Sequence, residues 1–352
     1  MEADDSTTPT TPTFPPSMPP AAQMQMMMTG YWTTRAISAI TELGVPDALG
    51  DRVRPVPEIA AEVGADAPTL GRVLRSLAEV GVFARQPDGY ALTPLGQILR
   101  TDVPGSVAAL PIFLGSQWQS TVRGGLTESL RTGLPATRTR LGDGLFGYLK
   151  RNPEDAAVFN RAMVQASASA VAAAAVGYDF GRFQTLVDVG GGHGYLLAAV
   201  LAAHPDLKGV LFDQAEVIAG APPQLEQHGV AERCDLVSGS FFDKVPAGAD
   251  GYLLSSVLHD WDDEAALLIL RNVAAAMGSQ STLLVAEWML TEGGEPDPVG
   301  KMLDLQMLIS TDGGQERTRS EFEDLLGQAG LRLVRVLRQA PVLPALLEIV
   351  PG

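Results

Sequence analysis

Thr185–Gln214 reads TLVDVGGGHGYLLAAVLAAHPDLKGVLFDQ, and the fold turns on how its glycines are spaced. An apolar run ends near Asp188, a glycine cluster follows, then an apolar helical stretch, then a second apolar run closing on Asp213. That order is strand, tight turn, helix, strand, the repeating unit of a parallel sheet. The dinucleotide-binding spacing G-x-G-x-x-G fails here: from Gly190 its third glycine falls on Tyr195, and from Gly192 on Leu197. What fits is D-x-G-x-G-x-G over Asp188, Gly190, Gly192 and Gly194. Glycines let the backbone turn sharply and approach a ligand closely at a sheet edge. Asp188 puts negative charge where a dinucleotide would bring its pyrophosphate, so the turn suits a ligand whose near end is a cationic amine or sulfonium. Asp213 can accept both hydroxyls of a ribose.

Around this stretch the C-terminal half alternates strand-like and helix-like runs. Strands are expected at Thr185–Val189, Gly209–Asp213, Asp235–Gly239, Gly251–Leu258 and Thr282–Trp288, with helices such as Tyr195–Ala203 and Asp263–Met277 between them. The last residues, LRLVRVLRQAPVLPALLEIVPG, offer two more strands and a turn. This predicts an α/β fold with a doubly wound, Rossmann-like sheet. Ligands of such sheets sit beyond the carboxyl ends of the strands, near the switch in strand order. Asp188–Gly194, Asp213, Ser240, Phe241, His259 and Glu287 all fall at or just past those ends.

The N-terminal half has a different texture. Residues 1–22 are rich in Thr and Pro and read as a disordered tail. MMMTGYWTTRAISAITELGVPDAL then places Trp32, Ile37, Ile40 and Leu43 on or near one helical face. Val56–Leu99 reads as a short helix, a turn at Gly64, a helix over Pro68–Val80 and a hairpin turning at Pro87-Asp88-Gly89, a mostly helical winged-helix pattern. Helical segments continue to Tyr178, and the boundary with the α/β half lies near Gly177–Gln184. The expected segments are a tail over 1–22, a winged-helix domain over 23–110, a helical linker over 111–180 and the α/β domain over 181–352.

Composition narrows the function. A winged helix can read DNA, but Arg72 and Arg75 are the only cations of the would-be recognition helix and the chain's formal net charge is -16. A partner among nucleic acids or anionic membranes is not expected. The single cysteine, Cys234, excludes an internal disulfide and fits a reducing cytoplasm. No apolar run reaches the ~18 residues of a membrane helix, and the start lacks the pattern of a signal peptide. Four histidines and one cysteine at scattered positions show no metal-binding spacing, so no metal is expected.

A glycine loop followed by an acidic strand end points to S-adenosylmethionine. Here the chain resembles the S-adenosylmethionine-dependent small-molecule O-methyltransferases, of the plant caffeic-acid type and of bacterial natural-product biosynthesis. LVDVGGGHG, GVLFDQAEVI, SGSFFDKVP, LLSSVLHDWDDEAALLILRNVAAAM, LLVAEWML and MLISTDGGQERTRSEFEDLLGQAGL carry the resemblance, with FNRAM in the helical half. LHDWDD together with GGQERT is its most specific part. The resemblance implies methylation of a hydroxyl on an aromatic secondary metabolite, S-adenosylhomocysteine as product, and a homodimer joined through the winged-helix half. N- or C-methylation, or a hydroxylation with the same cofactor, are the alternatives within the family.

The resemblance also implies residue roles. Asp188, Gly190, Gly192 and Asp213 would hold the cofactor, and Phe241 would lie against its adenine. Ser240 stands where the family usually has an acidic adenine contact, with Asp243 as a substitute, and Ser255 and Ser256 stand where it often has Lys or Arg. The chemistry is an in-line displacement needing an aligned and deprotonated acceptor. A phenol titrates near pH 10, so removing its proton at pH 7 is worth up to about 4 kcal/mol, against about 7–11 kcal/mol for alignment. His259 is the natural base, with Glu287 and Glu316 in the role of carboxylates that orient it. An ion pair with Arg317 or Arg319 is the rival use of Glu316. Trp118, Phe146, Met163, Trp261, Met302, Met307 and Leu308 are the acceptor-pocket candidates by resemblance, and as plain core residues they would look the same.

Overall fold

A proline starts the first described element: Pro20, whose missing N–H is harmless in a first helical turn, opens a helix that runs to Glu42. In this computed structural model residues 18–292, 297–338 and 343–352 are described, with 167–177 and 298 described by backbone alone. Residues 1–17 of the expected tail thus lie outside the described residues, and its last three residues begin this helix instead. The chain divides into two compact units, one of residues up to Arg123 with Leu149–Ala166, the other of Gly124–Tyr148 with Ser167–Gly352. The expected linker over 111–180 is therefore shared between the two units and is not a piece of its own.

In the first unit Asp66 accepts the Thr69 amide at 3.0 Å and so caps the helix Ala67–Glu79. Leu70, Leu74 and Leu77 of that helix share a buried face, packed with Ile40, Leu49, Ile59 and Phe83. The helix Val56–Val63 precedes it, and a hairpin of β1 (Phe83–Gln86) and β2 (Gly89–Leu92) follows, giving the winged-helix order. Arg54 ties the hairpin back by exchanging backbone hydrogen bonds with Tyr90 at 3.0 and 2.9 Å. On the first helix Ile40 is buried as expected, but Trp32 is 71% exposed. With Met24, Met26, Met27, Met28 and Tyr31 it makes an exposed apolar stretch, which a helix packed only on its own unit would not carry.

The second unit holds the sheet. Its strands are β3 (Thr185–Val189), β4 (Lys208–Asp213), β5 (Cys234–Ser238), β6 (Gly251–Ser255), β7 (Thr282–Glu287), β10 (Leu331–Leu337) and β11 (Ala345–Pro351), with the short β8 (Met289–Leu290) and β9 (Arg317–Thr318) forming a separate pair. The order across the sheet is β5-β4-β3-β6-β7-β11-β10. All neighbours are parallel except at β11, which runs antiparallel between β7 and β10. β6 stops at Ser255 where the sequence predicts Leu258, because Ser256 takes a left-handed φ of +52° that no strand continues.

Packing on both faces explains the unbroken apolar runs of the central strands. Leu283 and Val285 of β7 pack with Val187, Leu254, Ile269 and Leu270, whereas Leu284 faces Leu186, Leu197, Leu201 and Leu253. Beyond β7 the chain continues into β8, which pairs in parallel with β9, Met289 opposite Arg317. That short ladder carries Glu316 to the carboxyl end of β7.

Gly89 (φ +146°) approaches Arg54 so closely that a Cβ would lie 2.0 Å from the Arg54 carbonyl oxygen. Gly89→Ala should therefore cost about 2 kcal/mol, seen as a lower urea midpoint; an unchanged midpoint would mean the hairpin can leave Arg54 freely.

Candidate active site

β3 and β6 are neighbours in the sheet, yet the chain leaves toward β4 from one and toward β7 from the other. The connections part there and open a crevice at the carboxyl edge. Asp188 lies beneath it, 1% exposed, and neither of its carboxylate oxygens has a hydrogen-bond partner. The loop covers it so closely that a Cβ on Gly191 would sit 2.5 Å from the Asp188 Cγ. Burial, aided by the charge of Asp213, pushes Asp188 up to about 7. A buried unpaired carboxylate is costly, and the ligand that relieves it is a cation.

Asp213 is oriented by its own backbone: it accepts the Gly192 amide at 2.8 Å and the Gln214 amide at 2.6 Å. Burial raises its pKa, and those two bonds oppose the rise. Each oxygen keeps a lone pair for a hydroxyl. Across the loop a Cβ on Gly190 would meet Val257 at 3.0 Å and the Phe241 ring at 3.3 Å, so Gly190 keeps the floor flat beside that ring. The Phe241 turn is pinned by Asn272, whose Nδ2 donates to the carbonyls of Phe241 and Phe242 at 2.8 and 2.9 Å. Ser240 Oγ accepts the Phe242 amide at 3.2 Å, which shapes the same turn. Asp243 is exposed, and the Ser255 Oγ is buried without a hydrogen-bond partner. The residues present fit a nucleoside with a cationic amine: one unpaired buried carboxylate, one oriented carboxylate and a flat aromatic wall.

Next along the edge stands a cluster around His259. The left-handed turn at Ser256 aims the amides of Val257 and Leu258 at Glu287 Oε1, 2.9 and 2.8 Å away. The other oxygen of Glu287 lies 3.7 Å from His259 Nδ1. The closer partner is Glu316, whose Oε1 is 3.0 Å from Nδ1. A carboxylate can only accept, so Nδ1 carries the proton and Nε2 is the nitrogen left to take another; Asp260 lies 3.9 Å from it. Burial disfavours the imidazolium, but the charges of Glu287 and Asp260 and the bond to Glu316 outweigh it and raise His259 to about 10. Burial likewise raises Glu287 to about 7 and Asp260 to about 6, against the pull of His259. His259 Nδ1 and oxygens of Glu287 and Glu316 all lie within 4.8 Å of one another, a convergence that their scattered positions in the chain hide.

The rival ion pairs for Glu316 do not form. Arg317 turns to Asp263 and Arg319 to Glu323, each at 2.9 Å or less. Among the acceptor candidates, Phe146 and Trp261 stack with ring centroids 5.9 Å apart, and the Trp261 edge meets Phe242 and then Phe241. Met302, Met307 and Leu308 share the helix Pro298–Ser310, with Met302 and Leu308 exposed. Trp118 and Met163 belong to the first unit, where Trp118 is buried edge-on against Phe113. Asn272 and Asp260 are participants that sequence reasoning did not name, and Ser256 and Arg317, which it did name, take other parts than it gave them: a left-handed turn and a fork on the His259 backbone. Asp260 had a signal in its place in LHDWDD, and Arg317 in its place in GGQERT.

The O-methyltransferase domain family matches residues 124–332, and the O-methyltransferase dimerisation domain family matches residues 25–102. Phenazine O-methyltransferase PhzM of Lysobacter antibioticus is 41% identical over 92% of this chain and 94% of its own length. The 8-amino-8-demethylriboflavin N,N-dimethyltransferase of Streptomyces davaonensis is 37% identical over 85% and 86%. The crystal structure of an O-methyltransferase (NcsB1) from neocarzinostatin biosynthesis, in complex with S-adenosylmethionine and 2-hydroxy-5-methyl naphthoic acid, is similar with a TM-score of 0.74 at 36% identity, over 91% of this chain and 96% of that one.

Asp188 generates a stability prediction. Its folded pKa of about 7 stands above the ordinary ~3.9, so its ionisation destabilises the fold. The cost is absent below about pH 4 and grows as pH rises through 7. Without ligand, Asp188→Asn should therefore melt several degrees above the parent at pH 8, the gap closing toward pH 5. Equal melting at pH 8 would mean that Asp188 is solvated or paired.

Proposed function

The chain belongs to the S-adenosylmethionine-dependent O-methyltransferase family of bacterial natural-product biosynthesis, and on that premise we propose that it methylates a hydroxyl of an aromatic small molecule. The observation that carries the reading is the His259–Glu316 contact of 3.0 Å at the carboxyl edge, beside the glycine loop. S-adenosylmethionine, when bound, supplies an electrophilic methyl group on a sulfonium. Asp188 would take its ammonium, Asp213 its ribose hydroxyls, Phe241 its adenine face, and Gly190 and Gly192 would let it close on the backbone. Ser240 and Ser255 would offer hydroxyls where much of the family has charge. Phe146 and Trp261 would receive the flat acceptor, with Met302, Met307 and Leu308 as adaptable apolar contacts. No step calls on a metal.

His259 Nε2 takes the acceptor's proton while Glu316 holds Nδ1. An ordinary histidine, at about 6.5, would accept a phenol's proton at a cost of about 5 kcal/mol. At about 10 the transfer is nearly level. The same shift leaves His259 mostly protonated at neutral pH, so its base form becomes commoner as pH rises.

Incubation with methyl-labelled cofactor and a panel of polycyclic phenols should put the label on oxygen. Transfer to nitrogen is the second reading, favoured by the N,N-dimethyltransferase among the relatives, and label on nitrogen alone would establish it. His259→Ala should lose at least about 100-fold in kcat, with affinity for S-adenosylhomocysteine held within about threefold. For the parent enzyme, log kcat/KM should climb with unit slope from pH 6.5 toward 9 on a phenol of ordinary pKa. A plateau from pH 7 would mean that the carboxylates do not raise His259.

The dimerisation-domain match over 25–102 and the exposed stretch Met24–Trp32 support a homodimer. The double variant Met27→Glu, Trp32→Glu should run as a monomer by light scattering; a dimer of unchanged affinity would move the interface elsewhere. A net charge of -16 and a single buried Cys234 support a cytoplasmic enzyme without a nucleic-acid partner. No helix among the described residues is long and apolar enough to cross a membrane.

A further inference from the structure

Arg317 is 1% exposed, a buried cation to which the proposed proton transfer assigns no task. Its guanidinium makes four contacts. Nη1 donates to the Leu258 carbonyl at 2.8 Å, Nη2 to the Trp261 carbonyl at 2.8 Å, and Nη2 and Nε both reach Asp263 Oδ1 at 2.9 and 3.0 Å. Leu258 and Trp261 bracket His259 and Asp260, so the fork grips the backbone on either side of the histidine. From the opposite side Glu287 Oε1 takes the Val257 and Leu258 amides. Gly314 closes a third side, for a Cβ there would lie 2.4 Å from the His259 carbonyl oxygen.

The choice of residue is informative. Burying a guanidinium is expensive unless its donors are used, and an apolar side chain would fill the same space at less cost. A planar fork, unlike an ammonium, can hold two carbonyls in fixed relation. Its charged partner, the Asp263 side chain, is 64% exposed, so that pair orients the fork through its two contacts more than it adds net stability. Arg317 is also next in sequence to Glu316, and the β8–β9 ladder pairs it with Met289.

We propose that Arg317 is a positioning residue of the active site, acting through His259. It locks the Leu258–Trp261 turn so that Nδ1 stays on Glu316 and Nε2 stays open to the acceptor. The inference rests on the reading of His259 as the base.

The test is an NMR titration of the His259 imidazole in the full-length protein, its signal assigned by loss in His259→Gln. Asp260 faces the ring from its own turn, Glu287 from the end of β7 and Glu316 from just before β9. Arg317→Lys keeps the charge but cannot span both carbonyls. If geometry is what Arg317 supplies, the midpoint falls by about one pH unit or more as Nδ1 leaves Glu316. Arg317→Gln separates the causes, because loss of charge alone would raise the midpoint and loss of the turn lowers it. Turnover should fall on the order of 10- to 100-fold while S-adenosylhomocysteine binds within about threefold. Parental midpoints and turnover in both variants would overturn the proposal, as would a loss of turnover matched by an equal loss of cofactor affinity. Should neither variant fold, Asp263→Ala removes the exposed anchor alone and should lower both midpoint and turnover; parental values there would also overturn it. A parent enzyme that methylates no hydroxyl undoes the functional reading, while the titration still decides the role of Arg317.

Discussion

Two consecutive backbone amides, those of Val257 and Leu258, donate to one buried oxygen of Glu287, and the edge chemistry of the sheet depends on that convergence. It requires the left-handed turn at Ser256, because an extended chain would send successive amides to opposite sides. Once made, it holds His259 at the mouth of the crevice and turns the other Glu287 oxygen toward the imidazole. Amides satisfy a buried carboxylate without neutralising it. Glu287 thus acts on His259 as a charge and on the backbone as a clamp.

Four ionisable side chains meet there: His259, Asp260, Glu287 and Glu316. Their arrangement is costly, since burial drives Asp260 and Glu287 toward their neutral forms and the histidine toward its own. The cluster survives because His259 stands within about 4 Å of all three carboxylates and Glu287 also takes two backbone donors. What the fold loses in stability it gains in proton affinity at His259. The glycine loop shows the same bargain at Asp188, a carboxylate left unpaired in the interior until a cation arrives. Sites of this kind are where local stability gives way to function.

One helix, Asp263–Ala276, links the two parts. Its first residue anchors Arg317, and through it the His259 turn; its Asn272 holds the carbonyls of Phe241 and Phe242, and through them the wall beside the glycine loop. The aromatic chain Phe241–Phe242–Trp261–Phe146 runs between the same two regions. The glycine-loop edge and the His259 edge are thereby tied to one helix.

Much of this was legible in the chain. The D-x-G-x-G-x-G spacing, the acidic end of β4 and the alternation of apolar runs specify the sheet, its glycine loop and a cationic nucleoside ligand, because they are short-range: period, turn geometry and charge are set within a few residues. LHDWDD marks His259 for the same reason. Whether Glu316 serves His259 or its neighbours Arg317 and Arg319 is not a local matter. It is decided by the β8–β9 ladder and by the guanidinium of Arg317 finding Leu258, Trp261 and Asp263 some 55 residues upstream. The end of β6 at Ser255, the antiparallel β11 and the exposed Trp32 are likewise tertiary outcomes. Local sequence determines which groups stand at a strand end; only the folded chain decides which of them share a proton, because that depends on what burial brings within about 3 Å.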